Sequence, residues 1–223
     1  MGIYHSKQMN KFKKKILLLL LPLFMSFSFI VLTDEVKTLE IGQKAPLSDL
    51  KMKDVSGREM SMSDAMNKNG LLIIFSCNTC PFVIGRQDSE GWEGRYNEVA
   101  DLAAKSGITT MLVNSNEAKR NEGDSFEDMV ERAKSYEYKM HYVLDANHLL
   151  ADAFGARTTP HVFLFNAKFE LVYKGAIDDN NDSASGVKES WLKNALSDLS
   201  AGKTIDPNST RNIGCSIKRV KKD

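Results

Sequence analysis

The chain has 223 residues, room for one ordinary domain and some additional segments. With 42% hydrophobic and 26% charged residues it reads as globular, which excludes a disordered or fibrous chain. Five of its 30 basic residues fall within residues 1–32, where no acid occurs, so the remainder sets 25 basic against 29 acidic residues; that mildly acidic body has no electrostatic footprint for nucleic acid.

The N-terminus explains the asymmetry. Lys7, Lys11, Lys13, Lys14 and Lys15 precede 17 uncharged residues, 16–32. A basic stretch followed by an apolar one is the pattern of an export signal, and the positive flank is expected to stay cytoplasmic. Small residues for cleavage stand at Ser26 and Ser28. The apolar run falls short of the roughly 20 residues of a spanning helix, and Pro22 interrupts it. Residues 1–33 are therefore expected to be either a cleaved signal or an N-terminal membrane anchor. Either places the body in the periplasm or cell envelope, where disulfides persist.

Beyond a short leader, residues 48–66 read as a small hairpin turning at Ser56-Gly57. Residues 71–75 are continuously apolar, as in a strand covered on both faces. A helix is expected to begin near Cys80, to be interrupted around Gly85, Gly91 and Gly94, and to resume through Trp92, Tyr96, Val99 and Ala103 to Lys105. A strand follows over 107–116. A helix over 124–137 has Asp124 or Ser125 as N-cap and acids in its first turn. Then come a short strand (141–145), a helix stopped at Gly155, and two strands (161–166, 170–177) around a turn at Ala167-Lys168. A last helix over 187–202 presents Trp191, Leu192 and Leu196 to the core. Residues 203–223 read as a loose tail. The alternation implies an α/β domain over 38–202, with a central mixed sheet and helices on both faces.

The chemistry centres on Cys77-Asn78-Thr79-Cys80, where a strand hands over to a helix. A helix N-terminus favours a thiolate. On this placement Cys77 is the exposed nucleophile and Cys80, one turn on, the buried thiol that resolves a mixed disulfide. Pro81 suits the first turn. Other readings of the pair are a structural disulfide or a metal site. Zinc needs four ligands and no second C-x-x-C exists; copper would take His161 as a third ligand.

The Cys77/Cys80 pair together with Thr159-Pro160 ahead of a strand resembles the thioredoxin superfamily. The stretches "IGQKAPLSDLKMKDVSGREMSMSD", "SCNTCPFV", "VNSNE", "DSFEDM", "YVLDANHLLADAFGARTTPHVFLFN", "VYKGAIDDN" and "GCSIK" are similar to its redoxin branch, annotated with alkyl hydroperoxide reductases and thiol-specific antioxidants. The resemblance spans roughly residues 40–218. It implies a thioredoxin-like fold and a cis proline at Pro160 facing the cysteines. It further implies that Thr159 offers its backbone to a substrate strand. The implied activity is thiol–disulfide exchange with protein or small-molecule thiols and disulfides, with a separate redox partner, no organic cofactor and a monomeric chain. Thiol peroxidase activity, with a sulfenic acid at Cys77, is the alternative. Ile74 stands where peroxiredoxins place a threonine, and Arg157 is followed by the Thr-Pro loop of thioredoxins. Leu71 stands at the position of the buried acid of thioredoxins.

Two further features stand apart. Cys215 is the odd cysteine, either a small apolar anchor for the tail or an extra thiol exchanging with the pair. Asp178, Asn180, Asp182 and Glu189 match calcium-loop positions, but Ser183 replaces the required glycine and a strand precedes the loop; a polar loop ahead of the last helix is the plainer reading.

Overall fold

A computed structural model describes residues 1–2 and 37–221. The expected signal or anchor, residues 1–33, lies outside the described residues, save the first two. Among the described residues no helix is long and apolar enough to cross a membrane.

The strands are β1 (Met52–Asp54), β2 (Glu59–Met60), β3 (Gly70–Ser76), β4 (Ile108–Asn114), β5 (His141–Leu144), β6 (Thr158–Thr159), β7 (His161–Asn166), β8 (Leu171–Gly175) and β9 (Cys215–Ser216). The helices are α1 (Met62–Ala65), α2 (Pro81–Ile84), α3 (Tyr96–Lys105), α4 (Phe126–Ser135), α5 (Leu149–Phe154) and α6 (Trp191–Ser200). Seven strands form one sheet in the order β2-β1-β5-β4-β3-β7-β8. β3, β4 and β5 run parallel, while β7, β8, β1 and β2 pair antiparallel, so the sheet is mixed, as expected.

β3 lies in the sheet with a partner on each side and every residue buried. That is why its sequence is a continuous apolar run rather than an alternating one. Its side chains divide by the two-residue period of a strand. Leu72 and Ile74 face a core closed by α3, α4 and α6, including Tyr96, Val99, Met129, Leu192 and Leu196. Leu71, Ile73 and Phe75 face a second core closed by α1 and α5. Helices therefore cover both faces.

Capping sets where the helices start and stop. Ser125 caps α4, its Oγ accepting the Asp128 N–H at 3.0 Å while the Asp128 carboxylate accepts the Ser125 N–H. Of the two cap candidates, this leaves Asp124 available for other contacts. α5 ends at Gly155, φ +60, where a Cβ would lie 2.2 Å from the Lys37 carbonyl oxygen; only glycine fits both the turn and the neighbour. α2 is a single turn, with Pro81 at its first position and Gly85 after it.

Residues 203–221 correct the expectation of a loose tail. Ile205 and Ile217 are buried. Thr210 Oγ1 accepts the Ala176 N–H at 3.0 Å. Lys218 O accepts the Ala118 N–H at 2.9 Å, and Arg219 Nε donates to Asp152 at 2.8 Å. β9 pairs antiparallel with β6, placing Cys215 opposite Thr159 and Ser216 opposite Thr158.

Candidate functional site

The end of β3 delivers Cys77 and Cys80 to the face of the sheet that carries α3 and α6. The Thr159-Pro160 peptide is cis, as the resemblance implied. Its loop meets both sulfurs: Thr159 Oγ1 lies 3.3 Å from Cys77 Sγ, and the Thr159 carbonyl accepts the Cys80 thiol at 3.1 Å. Cys77, Cys80, Thr159 and Pro160 thus come together, and both cysteines are free thiols.

One expectation about the pair fails: Cys77 is not exposed, being 2% accessible, while Cys80, at 3%, is buried as expected. Interaction between the two neighbouring sulfurs pulls one thiol of the pair down to about 5 and pushes the other up, so the pair holds one charge long before two. Burial and the Asp124 carboxylate add to the cost of the second charge.

A polar network that the sequence reading missed holds the Asn78-Thr79 dipeptide. Asp124 is fully buried. Its carboxylate accepts the Asn78 N–H at 2.7 Å, the Thr79 hydroxyl at 2.7 Å, and the side-chain amides of Asn114 and Asn116 at 2.9 and 3.0 Å. Tyr142 donates its hydroxyl to Asn78 Oδ1 at 2.9 Å. Arg120 in turn donates to Asn114 Oδ1 and to the Asp124 carbonyl, each at 2.9 Å. The signals present in sequence were the Asn114-Ser115-Asn116 stretch at a strand end and an acid just ahead of a capping serine. Neither reveals that Asp124, some 45 positions away, and Asn114 converge on residues 78–79.

His161 does not reach the pair. It is buried on the opposite core, its ring 4.5 Å from that of Phe163, and its Nδ1 accepts the Arg157 N–H at 3.4 Å. Burial pushes it down to about 3, so it is neutral. The copper reading with His161 as third ligand is therefore corrected: alternation along β7 turns this ring away from the face that carries the sulfurs. The calcium-like loop is also committed otherwise. The Asp178 carboxylate accepts Trp92 Nε1 at 2.8 Å and Arg95 Nη1 at 2.7 Å, while Asn180 Oδ1 accepts the N–H groups of Asp182 and Ser183. Among the described residues no group of three or more His, Cys, Asp or Glu is arranged to hold a metal.

Two cavities have no cysteine in their lining. One of about 540 Å³ is lined by Asp54, Ala104, Tyr138 and His141 and contains no cysteine. Another of about 420 Å³, lined by Phe82, Trp92, Trp191 and Ile213 with Arg86 and Arg211, opens beside α2.

Residues 40–196 match the Redoxin family. The chain belongs to that family, whose members are redox proteins of thioredoxin-like fold. Among solved structures it is similar to an uncharacterized conserved protein from Geobacillus kaustophilus, at 26% identity and a TM-score of 0.75, covering 84% of this chain and 96% of that one. It is similar to a hypothetical protein from Sinorhizobium meliloti 1021, at 27% identity and a TM-score of 0.74, covering 83% and 98%. A bacterioferritin comigratory protein from Xanthomonas campestris, at 17% identity and a TM-score of 0.51 over 74% of this chain and 97% of that one, shares the fold. No curated protein matches the chain.

Proposed function

We propose that this protein is an exported thiol–disulfide oxidoreductase working through Cys77 and Cys80. The observation that carries the reading is the pair of free thiols held together against the cis Thr159-Pro160 loop. One sulfur of the pair carries the charge and the other keeps its proton. In the reducing direction the thiolate attacks a disulfide R–S–S–R′. A mixed disulfide forms and R′S⁻ leaves. The second cysteine then attacks the sulfur of the first, giving up its proton, and RS⁻ leaves, so one substrate disulfide becomes two thiols and the pair becomes a disulfide. The oxidising direction is the same sequence reversed. Substrates are protein or small-molecule thiols and disulfides, and a separate redox partner resets the pair. Export rests on the basic and apolar character of residues 1–32.

The test is catalysis of disulfide exchange with oxidised glutathione by the purified chain. Cys80→Ser and Cys77→Ser are expected to lower the rate by roughly 10³. Rates equal to the unaltered protein in both variants would overturn the reading. Rapid consumption of hydrogen peroxide, well beyond the rate of a free thiol, would replace it with peroxidase chemistry.

A further inference from the structure

The pair is nearly sealed from solvent, yet thiol–disulfide exchange demands that a sulfur be reached. The strand slot that a substrate would use is also filled. Thr159 is paired with Cys215, and the approach is tight: a Cβ on Gly214 would lie 2.3 Å from the Thr159 carbonyl oxygen. The tail thus lies where a substrate strand would dock, and it carries a cysteine. That cysteine is held rather than dangling. Upstream, Asn212 donates to Thr158 Oγ1 at 2.5 Å. Downstream, Ile217 N donates to Arg157 O at 3.0 Å and Lys218 N to Asn116 Oδ1 at 2.9 Å. Cys215 packs against the core cluster that holds Cys77 and Cys80, and its strand partner Thr159 accepts the Cys80 thiol at 3.1 Å. Of the three thiols, Cys215 alone is partly exposed.

We propose that Cys215 is a third redox-active thiol, which carries disulfides between solvent and the buried Cys77–Cys80 pair. The proposal rests on the assignment of Cys77 and Cys80 as a redox couple. In the oxidised protein the Cys215 sulfur attacks Cys80. The Cys80–Cys215 bond forms as the Cys77–Cys80 bond breaks, and Cys77 takes up the proton that Cys215 gives up. No outside oxidant is consumed, because the disulfide only changes partner. Burial and the Asp124 carboxylate favour the neutral thiol on Cys77 once it is released. An external thiol then attacks the accessible Cys215 sulfur. Run in reverse, a disulfide arriving at Cys215 is handed inward.

The experiment oxidises the full chain with diamide, quenches in acid, alkylates remaining thiols and maps tryptic peptides by mass spectrometry. The expected result is a population in which the peptide holding residues 77 and 80 is joined to the peptide holding residue 215. Cys77→Ser should drive that link to near completion, and Cys215→Ser should abolish it. Cys215→Ser is also expected to slow oxidation of the pair by oxidised glutathione about tenfold. The proposal is overturned if Cys215 is fully alkylated in oxidised wild-type protein while the 77–80 peptide has lost two hydrogens; the redox couple then stands without the relay. If that peptide never loses two hydrogens, the couple itself fails and the relay falls with it.

Discussion

The two faces of the sheet are built from the same strands but from different chemistry. The face under α5 is a cluster of aromatic rings. Phe154 meets Phe75, Phe163 and Phe165 edge-on, with centroids 5.1 to 5.6 Å apart. The face under α3 and α6 begins as an ordinary apolar core, then passes at the C-terminal end of β3 and β4 into buried polar groups: Ser76, Asn78, Asn114, Asn116 and Asp124. The first face contributes stability through area and packing. The second sets two sulfurs in a dry site where each hydrogen bond has a large effect on charge. Placing the reactive loop at the carboxyl end of parallel strands is also where ligands commonly bind in α/β sheets.

Substitutions separate the roles of the two faces. Phe154→Ala should cost about 3–5 kcal/mol of stability by opening a cavity, measured by denaturant unfolding, while the redox potential of the refolded protein stays unchanged. A shifted potential would mean that the aromatic face reaches into the chemistry. Asp124→Asn should cost about 2–3 kcal/mol, because the charged acceptor for Asn78, Thr79, Asn114 and Asn116 is lost. It should also let the Cys77 thiol fall, since the carboxylate is one of the groups raising it. A thiol titration identical to wild type would show that Asp124 is only a brace.

A pH titration sharpens the contrast further. Thiolate absorbance at 240 nm should rise as pH climbs through about 5, where the first thiol of the coupled pair loses its proton in the folded chain. The folded value lies below the ordinary thiol value of about 8.5. Between them the unfolded chain binds more protons, so this contribution to stability grows with pH across that window. It is complete above the unfolded value and lost as pH falls through about 5. Cys77→Ala should move the inflection upward, because the Cys77 hydrogen bond is the largest cause of the lowering. Gly214→Ala should push the tail off Thr159, because a Cβ there would lie 2.3 Å from the Thr159 carbonyl oxygen. Faster alkylation of Cys80 would report the opened slot.

Much of the frame was legible because it follows from periodicity. The apolar run of β3, the helical spacing of Tyr96, Val99 and Ala103, and Gly155 after α5 each announce local structure that packing then confirms. The Cys77/Cys80 pair and Thr159-Pro160 were legible because their residue types are rare and their spacing is specific. The Asp124 network was not, because it is made by side chains from β4, the loop after it and the start of α4, meeting only through space. The tail was misread for a related reason. It buries Ile205 and Ile217 without any repeating pattern and is fixed by bonds to distant backbone, which no local rule detects. The burial of Cys77 was missed for the same reason: the loop that meets its sulfur at Thr159 lies 82 positions along the chain.

The most direct test is the reduction potential of the Cys77–Cys80 couple, read by equilibration in glutathione buffers with quantitative thiol trapping. A stabilised thiolate in the pair favours the reduced form. The potential should therefore be more oxidising than thioredoxin's, between about −270 mV and DsbA's value of about −120 mV. A value at or below about −270 mV, or a pair that cannot be cycled, would contradict the account.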